Sequence, residues 1–161
     1  MGNGQKFDSK DMLDHAWKYF ELHSGQRISM FNFFLVVSTS LAAGLGYCLQ
    51  GNKALGWLGT VAGALLFFVS LVFGKIDGRT ATLVKYAENA IAAVEAGFPE
   101  PTVRLVANEA AGTAKTIEGE GPHKGMWSYS KSFRLAFQAM AVLGIIGGVL
   151  SALRGAGYIN W

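Results

Sequence analysis

The sequence predicts an all-α membrane protein with three transmembrane helices, cytosolic amphipathic helices and a homo-oligomeric assembly. The first observation behind this is that residues 28–49, 55–74 and 135–153 contain no Asp, Glu, Lys, Arg or His. At ~1.5 Å of rise per residue each run, helped by its neighbours, reaches across a hydrocarbon core of ~30 Å, where only a helix satisfies its own backbone polar groups. The second is that hydrophobic residues make up 51% of the chain and charged ones 16%, a skew concentrated in those blocks rather than spread over one soluble core. The third is that the stretches outside the blocks repeat their apolar residues at the helical period.

In chain order, residues 1–27 form a cytosolic or interfacial N-terminal helix, with Met12, His15, Ala16, Tyr19, Phe20 and His23 in phase. Gly25 is expected to bend it before the membrane, leaving Trp17, Tyr19 and Phe20 at the interface. Residues 28–74 make a transmembrane hairpin around the turn QGNKA at residues 50–54. Residues 75–133 form a cytosolic helical segment. In it, residues 79–98 carry the apolar stripe Leu83, Ala87, Ala90, Ile91, Val94 and Phe98, stopped by Gly97, Pro99 and Pro101. Residues 102–117 are a weaker helix, and EGEGPHKG at 118–125 is a loop. Residues 134–161 supply the third transmembrane helix and an outer C-terminus ending in Tyr158 and Trp161.

Four lysines and arginines precede residue 28 and eight lie between 75 and 134, against Lys53 and Arg154 on the other side. That bias puts the N-terminus and the middle segment in the cytoplasm and the C-terminus outside. The single cysteine, Cys48, excludes an internal disulfide, and its spacing from the three histidines is not that of a zinc site. No metal or other cofactor is expected. With no nucleophile elbow, phosphate-binding loop or paired carboxylates, the chain is not expected to be an enzyme.

The charge-free spans lack the intramembrane carboxylates and arginines of proton-coupled transporters and voltage sensors. Three helices are too few to enclose a water route, so conduction requires several copies around an axis. The candidate lining is a polar, small-residue stripe on the first span: Asn32, Thr39, Ser40, Ala43, Gly46 and Gln50. Nearby phenylalanines would close such a pore by dewetting; the plainer alternative is that these small and polar residues hold helices together. Gly59 with Gly63, and Gly144 with Gly148, form GxxxG pairs suited to close helix packing. His15, Tyr19 and His23 share one face and, with Arg27, are gate candidates; the plainer alternative is interfacial or interhelical packing. Lys124, Lys131 and Arg134 interleave with Trp127 and Tyr129, a pattern that fits a nucleotide or single-stranded nucleic acid as well as a membrane entry. Lys75, Arg79 and Lys85 join them as ligand-binding candidates.

The motifs HAWKYFELHSGQR, FNFFLVV, FGKIDGRT and WSYSKSFRLAF resemble a family of small bacterial multi-span effectors from anti-phage defence loci, the Hailong-type membrane effectors. The plan is also similar to SLATT-type pore-forming effectors. The resemblance covers most of residues 12–150. It implies a homo-oligomeric channel that depolarises the membrane, controlled by a nucleotide or short single-stranded DNA from a partner nucleotidyltransferase. The rival expectation is a non-conducting membrane anchor or scaffold that recruits a cytosolic partner.

Overall fold

The computed structural model describes residues 8–109 and 129–159, and among them every regular element is helical. Three long helices dominate: α1 (Ser9–Gln50), α2 (Gly56–Glu95) and α3 (Tyr129–Gly155). All three are long and apolar enough to cross a membrane. A span needs ~20 residues, whereas α1 has 42 and α2 has 40, so about half of each is left to extend beyond the bilayer.

One expectation is corrected: α2 runs unbroken through Lys75 and Arg79, so the apolar stripe from Leu83 to Val94 lies on the helix of the second span rather than on a separate one. α1 is likewise helical through Gly25. The physical reason is that a lone glycine costs a helix only ~1 kcal/mol, and no proline falls near either junction to remove a backbone donor. The polar segments therefore inherit the register of the spans. Ser9 opens α1, with the Asp8 carbonyl accepting from Met12 N at 3.1 Å. Gly51 and the extended Asn52 end it, and a 3-10 turn at Lys53–Leu55 feeds into α2. α3 closes with Gly157 at φ +83°, Tyr158 N donating to Leu153 O and Gly157 N to Arg154 O. That pairing ends a helix where only glycine adopts the left-handed residue without strain.

The chain divides into two compact units. One contains Ile28–Gly78 and Ser128–Trp161, and its helices pack in three ways along their length. Phe34, Phe133 and Phe137 form a buried cluster, joined by Phe31, Val69, Phe73 and Met140. Phe31 stacks on Phe133 with centroids 3.9 Å apart, and Phe34 meets Phe137 edge-on at 4.6 Å. Farther along, α2 and α3 approach until a Cβ on Gly63 would lie 2.6 Å from Gly144 O and a Cβ on Gly144 would lie 2.7 Å from Gly63 O. Dispersion between backbones at such range is available only to glycine, which suits a setting where lipid supplies no hydrophobic drive. At the last level Ser151 Oγ donates to Gly56 O at 2.9 Å, and Arg154 folds inward onto the end of α1.

The other unit contains Met1–Arg27 and Arg79–Trp127. Here α1 lays Ala16 and α2 lays Ala87 and Ile91 into the interior. After α2, Pro101–Val103 form a 3-10 turn and residues 105–109 are helical. Glu95, buried at 5% exposure, accepts from Val106 N at 3.0 Å and Ala107 N at 3.2 Å, capping those helical residues from a distance in sequence. The remainder of the 102–117 helix and the 118–125 loop lie outside the described residues.

Candidate functional site

At ~100° per residue, Asn32, Thr39, Ala43 and Gln50 fall within an arc of about 40°, with Gly46 close beside them and Ser40 on the flank. The residues of α1 that face its bundle are Phe34, Ser38, Leu45 and Cys48, all buried and on roughly the opposite side. Asn32, Thr39, Ser40, Ala43 and Gln50 are exposed, and Gly46 is half-buried with open space where a Cβ would stand. Ser40 Oγ donates to Val36 O at 2.8 Å, so this hydroxyl serves its own helix. Packing within the bundle thus uses a different set of small and polar residues: Ser38, Ser70, Ser151 and the glycines of α2 and α3. The stripe is left facing outward from the subunit.

Phe31 and Phe34 do not flank the stripe as a hydrophobic closure. Phe34 is fully buried and Phe31 is stacked in the aromatic cluster, because the helical phase that exposes Asn32 turns both rings toward α3. The four glycines of the two GxxxG pairs all sit where α2 meets its neighbours. A Cβ on Gly59 would collide with Ser151 and one on Gly63 with Gly144 and Gly148, while Gly148 itself leaves 3.5 Å to Gly63.

The gate candidates all lie on the unbroken α1. His15 and Tyr19 line a groove with Tyr86, and the Tyr19 and His23 rings meet edge-on at 4.2 Å. His23 Nδ1 is 3.1 Å from Gln26 Oε1, and Arg27 is half-buried. One turn away, Lys18 donates to Asp14 at 2.7 Å, a hydrogen bond that raises the lysine pKa above its ordinary value. The pair is fully exposed, so its net effect is small.

The described ligand-binding candidates belong to both units. Arg79 and Lys85 lie in the unit with the N-terminal part of α1, and Lys85 pairs with Glu88 at 3.2 Å. Lys75, Tyr129, Lys131 and Arg134 are exposed residues of the other unit. Lys131 and Arg134 share one face of α3 at spacing i, i+3, and Tyr129 meets Phe133 edge-on at 6.3 Å. Lys124 and Trp127 lie outside the described residues. Among the described residues no three His, Cys, Asp or Glu side chains come together as a metal site.

Arg154 is the residue whose place the sequence hides. Just beyond the third charge-free run it reads as an outer-loop cation, yet it is 7% exposed and donates to the carbonyls of Cys48, Leu49 and Gly51. Basic residues in a last helical turn are a usual sight. Nothing in the spacing says that this one serves another helix.

The sequence matches the octameric membrane protein family (8xMP) across residues 10–153. The chain belongs to this family. As a member of the octameric membrane family it is an all-α, homo-oligomeric protein with three spanning helices, and the outward stripe of α1 belongs to a subunit that has copies of itself for neighbours. CD-NTase-associated protein 19 of Escherichia coli is 32% identical over 133 residues, covering 83% of this chain and 85% of that protein. No solved structure matches the chain.

Proposed function

We propose that this octameric-family member is a ligand-gated, homo-oligomeric ion channel that depolarises the bacterial inner membrane as an effector of anti-phage defence. The observation that carries the proposal is the outward polar stripe of α1, Asn32, Thr39, Ala43 and Gln50, opposite the buried Phe34, Ser38, Leu45 and Cys48. A lipid-facing stripe would leave amide and hydroxyl groups in hydrocarbon, whereas a ring of α1 helices around an axis wets them. The permeation path is then a weakly polar surface without charge, and the protein acts by opening a route rather than by chemistry.

The name of the Escherichia coli relative associates that protein with a CD-NTase, which supports a partner nucleotidyltransferase as the source of the signal. The narrower likeness to Hailong-type effectors favours a short single-stranded DNA or another nucleotide as that signal. In this reading Lys75, Arg79, Lys85, Lys124, Trp127, Tyr129, Lys131 and Arg134 are the ligand-binding candidates, with charges for phosphates and rings for bases. His15, Tyr19, His23 and Arg27 lie on the same helix as the stripe and lead directly into it. A ligand moves such a gate by its difference in affinity for the two arrangements. The lysine and arginine bias supports a cytoplasmic N-terminus and a periplasmic C-terminus.

Ion flux across liposomes containing the purified full-length protein tests the proposal. Flux that changes at least tenfold when short single-stranded DNA oligomers or nucleotides are added is the expected result. Vesicles that remain tight in both conditions leave the anchor reading in its place.

A further inference from the structure

The extramembrane stretch of α1 presents two unlike flanks at one height. On one flank Met12, His15 and Tyr19 join Tyr86 and Val94 of α2 around an apolar groove of about 450 Å³ floored by small alanines such as Ala87. On the other flank Trp17 is 51% exposed and held against Phe20, ring centroids 5.6 Å apart. We propose that the Trp17 indole of one copy fills the Met12–His15–Tyr19–Tyr86 groove of the next copy, forming the repeating contact of the ring outside the membrane.

Three features select a second copy as the occupant. The family is octameric, so each subunit has two neighbours, and in a closed ring the contact is head-to-tail between different surfaces of the same chain. A ring without axial rise requires knob and groove at the same level, and Trp17 lies between Met12 and Tyr19 along α1. At ~100° per residue the direction of Trp17 is roughly 140–160° from those of Met12, His15 and Tyr19, while two contact faces in a ring of eight diverge by roughly 135°. The chemistry agrees. The groove lining contains no lysine or arginine to hold a phosphate, which disfavours a nucleotide there. An indole offers a large rigid apolar body and one N–H, and the His15 ring and the Tyr19 and Tyr86 hydroxyls can accept it. A pre-oriented aromatic anchor entering an apolar slot is the usual form of an interface hot spot. The proposal rests on the family's oligomeric state and stands whether or not the assembly conducts.

The test co-expresses two differently tagged full-length chains, one Glu21→Cys, which lies one turn from Trp17 on the same exposed face and leaves the indole in place, and one Tyr86→Cys, both carrying Cys48→Ser, and treats membranes with a short bismaleimide. The expected result is a mixed-tag adduct at least tenfold above the adduct between two Glu21→Cys chains. A second measurement is particle size in detergent: Trp17→Ala should shift most of the protein from octamer to smaller species with helix content retained, and Trp17→Phe should restore the octamer. Octamer-sized particles without the mixed adduct overturn the proposal and leave the groove to a ligand or to another part of the chain. Loss of the octamer in Trp17→Ala that Trp17→Phe does not restore overturns it as well.

Discussion

Arg154, near the end of α3, donates from Nη2 to the carbonyl oxygen of Gly51 at 2.5 Å, joining the end of one helix to the turn that follows another. Its Nη1 reaches Cys48 O at 3.4 Å and also bonds Leu49 O. The last carbonyls of α1 have no partners within their own helix and carry the negative end of its dipole. A planar guanidinium with several donors satisfies them together, which a point-charge ammonium does less well.

Replacing Arg154 therefore tests the bundle rather than the pore. Arg154→Leu should lower stability by about 2 kcal/mol, the cost of leaving buried carbonyls without donors, and Arg154→Lys should fall between the two. Thermal unfolding in detergent followed by circular dichroism reads both. Equal midpoints for the wild type and Arg154→Leu would show that water replaces the guanidinium.

Glycines separate into two classes that a single substitution distinguishes. A Cβ on Gly63 would lie 2.6 Å from Gly144 O and Gly148 Cα, whereas one on Gly44 would meet nothing within 4 Å. Gly63→Ala should cost about 1–3 kcal/mol as α2 and α3 are forced apart. Gly44→Ala should leave the bundle unchanged or slightly firmer, since alanine is the better helix former. Unfolding midpoints of the two variants measured side by side decide the matter, and a similar shift in both contradicts the close crossing.

The three spans, their small-residue seam and the phase of the α1 stripe were legible because length, charge and the 3.6-residue period act locally. Asn32 and Phe34 stand two residues apart, and that spacing alone turns one outward and the other inward. The continuity of α1 through Gly25 and of α2 through Lys75 was not legible, because a composition change from apolar to polar resembles a boundary although the backbone is indifferent to it. Nor was the inward fold of Arg154 or the capping by Glu95. Each joins residues far apart in sequence, and no local pattern distinguishes such a side chain from a solvated one. The ligand-binding candidates remain a list of suitable chemistries, since basic and aromatic residues serve a membrane entry equally well.

Glu95 offers a test of that long-range capping. Its carboxylate accepts from Val106 N and Ala107 N, so Glu95→Ala should cost the following helix about 1 kcal/mol, as loss of an N-cap does. Amide hydrogen exchange at 106 and 107 should accelerate about fivefold, by the conversion of free energy to opening equilibrium. Glu95→Gln retains an acceptor oxygen and should lie closer to the wild type. Unaltered exchange at both amides in the alanine variant would mean that the helix start holds itself.

The stripe itself is tested by comparing two faces of one helix. Asn32→Leu and Thr39→Leu change exposed residues, so neither should lower the unfolding midpoint. Ser38, fully buried and bonded to Leu35 O at 3.3 Å, has no room for a larger group, and Ser38→Leu should destabilise by about 1–3 kcal/mol through overpacking. Conduction should show the reverse sensitivity. If α1 lines a pore, an apolar ring in place of Asn32 or Thr39 favours dewetting, and liposome flux should fall at least tenfold in a protein that still assembles and melts like the wild type. Wild-type flux from the double variant would separate the stripe from permeation and assign it to contacts between neighbouring subunits.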